Sequence, residues 1–344
     1  MTKESLRIVF MGTPEFAVET LKALIDNQYN VVAVVTQPDK PVGRHASVLQ
    51  PSPVKQYALE HHLPVLQPEK MKDPAFVEAL RAYNANLQVV VAFRMLPEVV
   101  WAMPSYGTFN VHAALLPQYR GAAPINWAVI NGEVETGVTT FFLDHDIDTG
   151  RIIEQRTFPI PDDADVEYVY NGLMHLGADI CLSTLQRIID ADGHPATTVQ
   201  QNSPTLKSAP KIFKDTCQID WSKTTRQVYD FVRGLSPYPG AWTTLRDSQG
   251  HDTMLKIFRT TKTDFQASLP ASEGAGADAP ATTPGTIVVR HNATGEARGE
   301  ALYVACADHL LRIDELQLSG KKRMPATAFL NGMKDIGKYF LVSV

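Results

Sequence analysis

The stretch LRIVFMGTPEFAVETLKALIDNQYNVVAVVTQ, residues 6 to 37, decides the fold class of this chain. Two apolar runs of strand length, LRIVFMG and NVVAVVTQ, enclose a segment that opens with a helix start signal, Thr13 before Pro14. The alternation continues with the strand-like runs LQVVVAF and TFNVHAALL, and with further helix starts at Ser52-Pro53 and Asp73-Pro74. Strands that alternate with helices predict an α/β fold with a doubly wound, mostly parallel sheet.

The rest of the chain has a different pattern. TGVTTFFLD and GRIIEQRTFPI predict a pair of hairpin-like strands, and a long helical stretch follows them. Residues 191–211 are rich in Pro, Ser and Thr, which predicts a linker, and short strand-like runs after it predict a small barrel. We therefore expect a first domain over 1–190, a linker over 191–211 and a smaller β-rich domain over 212–344. Within the last, the low-complexity stretch 264–285 is expected to be a flexible loop.

Composition and cysteine usage exclude several classes of protein. The chain has 344 residues, 44% hydrophobic and 20% charged, as in globular proteins, and no apolar run long enough to span a bilayer. Its N-terminal apolar run ends in a turn rather than in a signal-peptide cleavage site. Cys181, Cys217 and Cys306 are far apart and lack the spacing of metal ligands. We expect a cytoplasmic protein with no disulfide framework, no metal site and no membrane partner.

Charge is distributed unevenly along the chain. The net charge of −5 argues against a nucleic-acid partner, but residues 1–204 carry −9 and residues 205–344 carry +4. Such an asymmetry between halves indicates a polyanionic partner for the basic half, although ordinary scatter of surface charge also produces it.

Asn110 and His112 form the first candidate reaction centre. In a strand, residues i and i+2 project from the same face, so an amide donor and a proton-transfer group lie side by side. In the segment LDHDIDTG, residues 143–150, a carboxylate that turns inward could partner His112. A structural histidine and an acidic turn between strands are the alternative interpretations of these two features.

Two other site types are excluded by spacing. FMGTPEF contains one glycine, Gly12, whereas a dinucleotide fingerprint needs three, so we expect neither nicotinamide nor ATP as a cofactor. A calcium loop that started at Asp144 would need Gly at its sixth position and Glu at its twelfth; Thr149 and Gln155 stand there.

The segments NVH, LLP, RGAAPI and DIDTG, taken together, carry a resemblance to the folate-dependent formyltransferase family. Further segments are similar to those of the family members that formylate methionyl initiator tRNA: FMGTPEFAV, VVTQPDKPVGR, PSPVKQYA, IDWS, SPYPGAW and GKKRM. The resemblance covers nearly the whole chain outside residues 264–285. It departs from the family at Ala114, where Ser is usual, and in the shortened segment AFRMLP.

The resemblance implies a Rossmann-like formyltransferase core and a C-terminal OB-like barrel, and we expect a monomer. The implied reaction transfers the formyl group of 10-formyltetrahydrofolate to the amine of methionyl initiator tRNA, for translation initiation. Asn110 is the implied oxyanion donor, His112 the proton-transfer group and Asp148 its carboxylate partner. Folate contacts are expected from Phe93, Arg94, Met95, Leu96, Ala114, Leu115, Leu116, Pro117, Asp144, Asp146 and Gly150. Contacts to tRNA are expected from Lys40, Arg44, Lys207, Lys211, Lys321, Lys322 and Arg323.

Four alternatives compete with this prediction. Two share the catalytic core but use glycinamide ribonucleotide or an amino-sugar nucleotide as acceptor; the first needs no β-rich domain, and the second is expected to lack GKKRM. A hydrolase that releases formate would need an N-terminal regulatory domain. A catalytically silent RNA-binding module would not need Asn110, His112 and Asp148 together.

Overall fold

The structure is a computed structural model that describes residues 1–42, 48–201, 203, 205–266, 283–292, 299–333 and 336–342. Its helices are α1 (Glu15–Asp26), α2 (Pro53–Glu60), α3 (Pro74–Arg81), α4 (Glu98–Trp101), α5 (Pro124–Ile130), α6 (Val166–Asp190), α7 (Thr225–Gly234) and α8 (Ala326–Gly332). In the first 210 residues the strands are β1 (Arg7–Gly12), β2 (Asn30–Val35), β3 (Lys40–Val42), β4 (Val48–Gln50), β5 (Val65–Leu66), β6 (Leu87–Val91), β7 (Thr108–His112), β8 (Arg120–Gly121), β9 (Glu135–Phe142), β10 (Ile152–Pro159) and β11 (Ser208–Ala209).

The first sheet has the strand order β10-β9-β7-β6-β1-β2-β5. Its five strands from β5 to β7 are parallel, and β9 and β10 add an antiparallel edge next to β7. Strands β1 and β6 are buried on both faces, as their continuous apolar sequences require. This confirms the predicted α/β sheet and places the carboxyl ends of β1, β6 and β7 at one edge, where ligands of such sheets bind.

Helix starts follow the predicted signals at two of three places. Ser52 caps α2 by accepting a hydrogen bond from the amide of Lys55, and Asp73 caps α3 by accepting from that of Ala75. The prediction for Thr13 is wrong, because Pro14 occupies the N-cap position of α1 and makes no side-chain cap. The Thr13 hydroxyl is instead buried and has no hydrogen-bond partner among the described residues.

The second sheet is antiparallel and consists of β12 (Ala241–Arg246), β13 (Asp252–Gln266), β14 (Ile287–Asn292), β15 (Gly299–Ala305), β16 (His309–Leu318), β17 (Met324–Pro325) and β18 (Phe340–Val342). The sheet curls so far that Gly285 links β15 to β18. The amide of Gly285 donates to the carbonyl of Ala305 at the end of β15, and its carbonyl accepts from the amide of Leu341 in β18. Trp221 and α7 pack on its apolar face. The expected smaller β-barrel-type domain is therefore present as a curled half-barrel.

The chain divides into two compact units that are not contiguous in sequence. The first comprises Met1–Ile125, Glu135–Ile160 and Tyr168–Pro210; the second comprises Asn126–Val134, Pro161–Glu167 and Lys211–Val344. The second unit thus includes two segments that lie within the predicted first domain, 1–190, and most of the predicted linker lies in the first unit. Of the predicted loop 264–285, residues 264–266 end β13, and 267–282 lie outside the described residues. Within the described ranges, no helix has the length and apolarity that crossing a membrane requires.

Candidate active site

Asn110 and His112 are placed side by side by strand β7. The strand is held in register by β6 on one side and β9 on the other, where Asn110 pairs with Val90 and Phe141. His112 is buried, and its ring packs edge-on against Phe141. The Oδ1 atom of Asn110 is buried and accepts no hydrogen bond within the part of the chain that the structure describes. An unpaired buried amide of this kind is costly unless a ligand or water pairs with it.

The two ring nitrogens of His112 have different neighbours. Nε2 lies 2.9 Å from the carbonyl oxygen of Tyr119. Because a carbonyl only accepts, Nε2 carries the proton in the neutral ring and donates it there. Nδ1 lies 3.9 Å from Oδ2 of Asp148, beyond hydrogen-bond distance but close enough for an ion pair when the ring is protonated. The free lone pair of the neutral ring therefore faces the Asp148 carboxylate.

Asp148 is fixed through both its side chain and its backbone. Its Oδ2 accepts a hydrogen bond of 2.9 Å from the amide of Gly121. Its backbone has the left-handed conformation, with φ +56°, which is uncommon for a residue with a side chain. Gln200 donates from Nε2 to the carbonyl oxygens of Asp148 and Gly150, at 2.9 and 2.8 Å.

The residues predicted to contact folate range from buried to exposed. Leu96, Ala114 and Leu116 are buried, whereas Met95 is 68% exposed; Leu115 and Pro117 are partly buried. The segment that begins at Ala114 is held by Thr139, whose hydroxyl donates to the Ala114 carbonyl and accepts from the amide of Leu116. Gln155 donates to the carbonyl of Leu116.

Arg94 and Asp144 are already engaged within the first unit. The Arg94 guanidinium donates to the carbonyls of Pro68 and Glu69 and lies by the ring of partly buried Phe93; burial lowers the pKa of Arg94. Asp144 accepts from Thr149 and from the amide of Asp146, so its carboxylate shapes the loop, while Asp146 is exposed. Gly150 is buried, and a Cβ there would lie 1.7 Å from the carbonyl oxygen of Phe142.

The basic residues predicted to contact tRNA are mostly exposed. Arg44 lies outside the described residues; the exposed ones are Lys40, Lys207, Lys211, Lys321, Lys322 and Arg323. The Lys211 ammonium lies over the ring of Phe213. The Arg323 guanidinium pairs with Glu315 at 2.6 Å and lies over the ring of Phe258.

Sequence reasoning missed the groups that hold the pair formed by His112 and Asp148. They are the Tyr119 carbonyl, the Gly121 amide and the Gln200 side chain. The RGAAPI motif points to Gly121, but nothing in the predicted linker marks Gln200. Among the described residues, no group of three or more His, Cys, Asp or Glu side chains is arranged to hold a metal ion.

Comparison with known proteins gives a consistent family. The model of the family Formyl transferase matches residues 6–185, and that of Formyl transferase, C-terminal domain, matches residues 211–334. A methionyl-tRNA formyltransferase of Parabacteroides distasonis is 56% identical over 98% of this chain and 99% of its own length.

Solved structures agree on the fold. The structure of HypX from Aquifex aeolicus in complex with tetrahydrofolic acid covers 96% of this chain, at 18% identity and a TM-score of 0.59; the match spans 48% of that longer chain. An N-formyltransferase of Helicobacter canadensis in complex with folinic acid and dTDP-3-aminofucose matches over 93% of this chain and all of its own, at 19% identity and a TM-score of 0.58. Since the family models and the sequence relative together span nearly the full length, the chain belongs to the formyl transferase family.

Proposed function

We propose that this chain transfers the formyl group of 10-formyltetrahydrofolate to the α-amino group of methionyl initiator tRNA. The observation that carries the proposal is the grouping of Asn110, His112 and Asp148 at the carboxyl end of β7. The name of the P. distasonis relative supports methionyl-tRNA as the acceptor, and the folate compounds in the two related structures support a folate donor. The reaction belongs to translation initiation and one-carbon metabolism, which places it in the cytoplasm, and we take the acting species to be a monomer.

Asn110 supplies the oxyanion donor in this proposal. When the acceptor amine attacks the formyl carbon, negative charge develops on the formyl oxygen. The Asn110 Nδ2–H donates to that oxygen, on the strand face that it shares with His112. The buried, unpaired Oδ1 of the same amide supports a ligand at this position, because a bound substrate donor would satisfy it.

His112 and Asp148 move the proton. Nε2 is occupied by the Tyr119 carbonyl, so Nδ1 is the atom that takes part. As the C–N bond to the attacking amine forms, the amine nitrogen gains positive charge and must lose a proton. His112 Nδ1 accepts it, with Asp148 stabilising the imidazolium, and then returns it to the folate nitrogen as the bond from that nitrogen to the formyl carbon breaks. An α-amino group, with a pKa of about 7.7–8.0, needs no metal to be a nucleophile near neutral pH.

Binding is assigned to the two predicted residue sets. For folate these are Phe93 to Leu96, Ala114 to Pro117, and the loop with Asp144, Asp146 and Gly150. For tRNA they are the basic residues Lys40, Arg44, Lys207, Lys211, Lys321, Lys322 and Arg323, whose phosphate contacts would position the tRNA without selecting a sequence. Of these, Arg323 is already paired with Glu315.

The test is an acceptor panel with donor labelled in the formyl group. Parallel reactions contain methionyl initiator tRNA, methionyl elongator tRNA, glycinamide ribonucleotide, an amino-sugar nucleotide, or buffer alone. We expect label on initiator tRNA, with at least a 100-fold loss of rate in His112→Ala. His175→Ala, an exposed histidine on α6, is the matched control and keeps the wild-type rate.

Three other outcomes would each contradict one part of the proposal: the acceptor, the transfer reaction or the catalytic activity. Label on a small amine would keep the catalytic centre and overturn the acceptor. Formate release in buffer alone would indicate a hydrolase. Binding of tRNA with no turnover on any acceptor would indicate a silent RNA-binding module.

A further inference from the structure

Residues 197, 198, 200 and 207–209 are hydrogen-bonded to other parts of the first unit, although the composition of this stretch predicts a linker. Thr198 exchanges two backbone hydrogen bonds of 2.8 Å with Ile152, the first residue of β10. Ser208 and Ala209 form β11, which pairs in parallel with Arg120 and Gly121 of β8. This segment therefore lies against both stretches that hold the candidate catalytic pair, residues 119–121 and 148–152.

Gln200 stands between those two stretches. Its Nε2 donates to the carbonyls of Asp148 and Gly150, and its Oε1 accepts from Nε and Nη2 of Arg120, at 3.1 and 2.7 Å. One half-buried side-chain amide thus uses both its donor hydrogens and its acceptor oxygen.

The contacts of Gln200 complete a closed chain of hydrogen bonds around the site. Tyr119 and Gly121, which flank Arg120, bind His112 and the Asp148 carboxylate respectively. The Asp148 backbone is in the left-handed region, which is unfavourable for a residue with a side chain. Such a conformation persists where neighbouring contacts fix it, and Gln200 binds the carbonyl of that same residue.

We propose that Gln200 is a positioning residue that sets the Asp148 carboxylate opposite His112 Nδ1. The inference rests on the proposed function, because it takes this pair as the proton-transfer groups. Gln200 acts through the backbone of Asp148 and not on the substrates, since its amide is fully used in bonds to protein atoms. Its removal changes the geometry of the pair; among the residues predicted to contact folate, Gln200 touches Gly150, through the backbone carbonyl.

The first test is steady-state kinetics of two Gln200 variants on the full chain. For Gln200→Ala we expect kcat to fall about 10- to 100-fold, as for a misplacement of about 1 Å, with the KM for methionyl-tRNA within about twofold of wild type. Gln200→Glu has the same shape and keeps an acceptor for Arg120, but its carboxylate cannot donate to the Asp148 carbonyl, so we expect a similar loss. Gln201→Ala, at the exposed neighbour, keeps the wild-type kcat. A Gln200→Glu variant with wild-type kcat would overturn the inference.

The second test combines Gln200→Ala with Asp148→Ala in single-turnover reactions at high enzyme concentration. If Gln200 acts through Asp148, the double variant is as slow as Asp148→Ala alone. If Gln200→Ala lowers the rate by the same factor in both backgrounds, its role is merely structural and the inference fails. An Asp148→Ala variant with the wild-type rate would instead contradict the proposed function, so the two failures are distinguishable.

Discussion

Asn110 is the residue whose role can be isolated by a single substitution. Asn110→Ala removes the proposed oxyanion donor and, with it, the buried unpaired Oδ1. We expect kcat to fall about 10²- to 10³-fold, the usual cost of one oxyanion-hole donor, with little change in the melting temperature. The measurement is a labelled-formyl assay paired with a thermal melt. A loss confined to KM would assign Asn110 to ground-state binding instead.

Gly121 is the residue where the backbone leaves no space for a side chain. Its φ is +128°, and a Cβ there would lie 2.4 Å from the carbonyl oxygen of Ala209. Gly121→Ala should therefore separate β8 from β11 and weaken the hydrogen bond from the Gly121 amide to the Asp148 carboxylate. Both kcat and the melting temperature should fall. Gly250→Ala is the control, because its φ is +87° but nothing lies within 4 Å of the added Cβ. Equal losses in the two variants would show that backbone strain alone, and not the clash, is responsible.

At this scale the sequence predicted candidate side chains, which the structure brings together, but not the atoms that hold them. The spacing of Asn110 and His112 is a local property of one strand, and the resemblance supplied Asp148. The Tyr119 carbonyl and Gly121 amide are backbone groups, so no residue type marks them. Gln200 acts across 52 residues of sequence, and a glutamine in a polar segment has the composition of any linker.

Helix α7 carries a buried charged face that the second unit depends on. Asp230 accepts from Arg226 and from Arg233 at 2.7 Å each, and both Asp230 and Arg233 are buried. Asp230→Ala leaves the Arg233 guanidinium buried without a carboxylate, which should cost about 3–5 kcal/mol of unfolding free energy. Denaturant unfolding measures it, with Asp252→Ala at the exposed pair with Arg246 as a control that loses far less. Similar losses in the two variants would contradict the argument.

The start of α7 gives the molecule an acid-sensitive contact. Burial raises the pKa of Asp308, but hydrogen bonds from Thr225 and His309 outweigh it and lower that pKa to about 2. A carboxyl group whose pKa is lowered in the folded state stabilises that state fully at pH values above its pKa in the unfolded chain, near 4. This stabilisation is lost as the pH falls toward 2. In Asp308→Asn the amide oxygen still accepts, so only the charge is lost. The stability gap between wild type and variant should therefore be constant from pH 7 to 5 and shrink from pH 4 to 3. A constant gap down to pH 3 would contradict this.

Elements were predicted well where the signal is local. Ser52 and Asp73 begin helices as their side-chain chemistry requires, and β9 and β10 pair where two strand-like runs predict a hairpin-like pair. Thr13 has the same local signal, yet its hydroxyl turns into the protein and the helix begins without it. Strands β8 and β11 have two residues each and form only because distant segments meet. Their sequences are too short for a hydrophobic periodicity that could predict them.

The whole molecule cannot be cut into two halves at the predicted linker. Residues 211–344 lack the segments 126–134 and 161–167 of the second unit. Without them the Arg233 guanidinium loses the carbonyls of Ala164 and Pro161 as acceptors, and Gly234 loses the donor Asn126. We expect the isolated fragment 211–344 to show no cooperative thermal transition by circular dichroism, whereas the full chain shows one. A sharp transition of the fragment near that of the full chain would refute this.

The segments of the two units alternate along the sequence, so parts of the second unit are synthesised well before the rest of it. Ala164 leaves the exit tunnel long before its partner Arg233, which is 69 residues further along the chain. At roughly 5–20 residues per second, the early segments of the second unit wait about 3–14 seconds for α7. During that interval Ile130 has none of the apolar partners that α7 and the curled sheet later provide. The nascent chain therefore carries these early segments for several seconds before the residues that they pack against have been made.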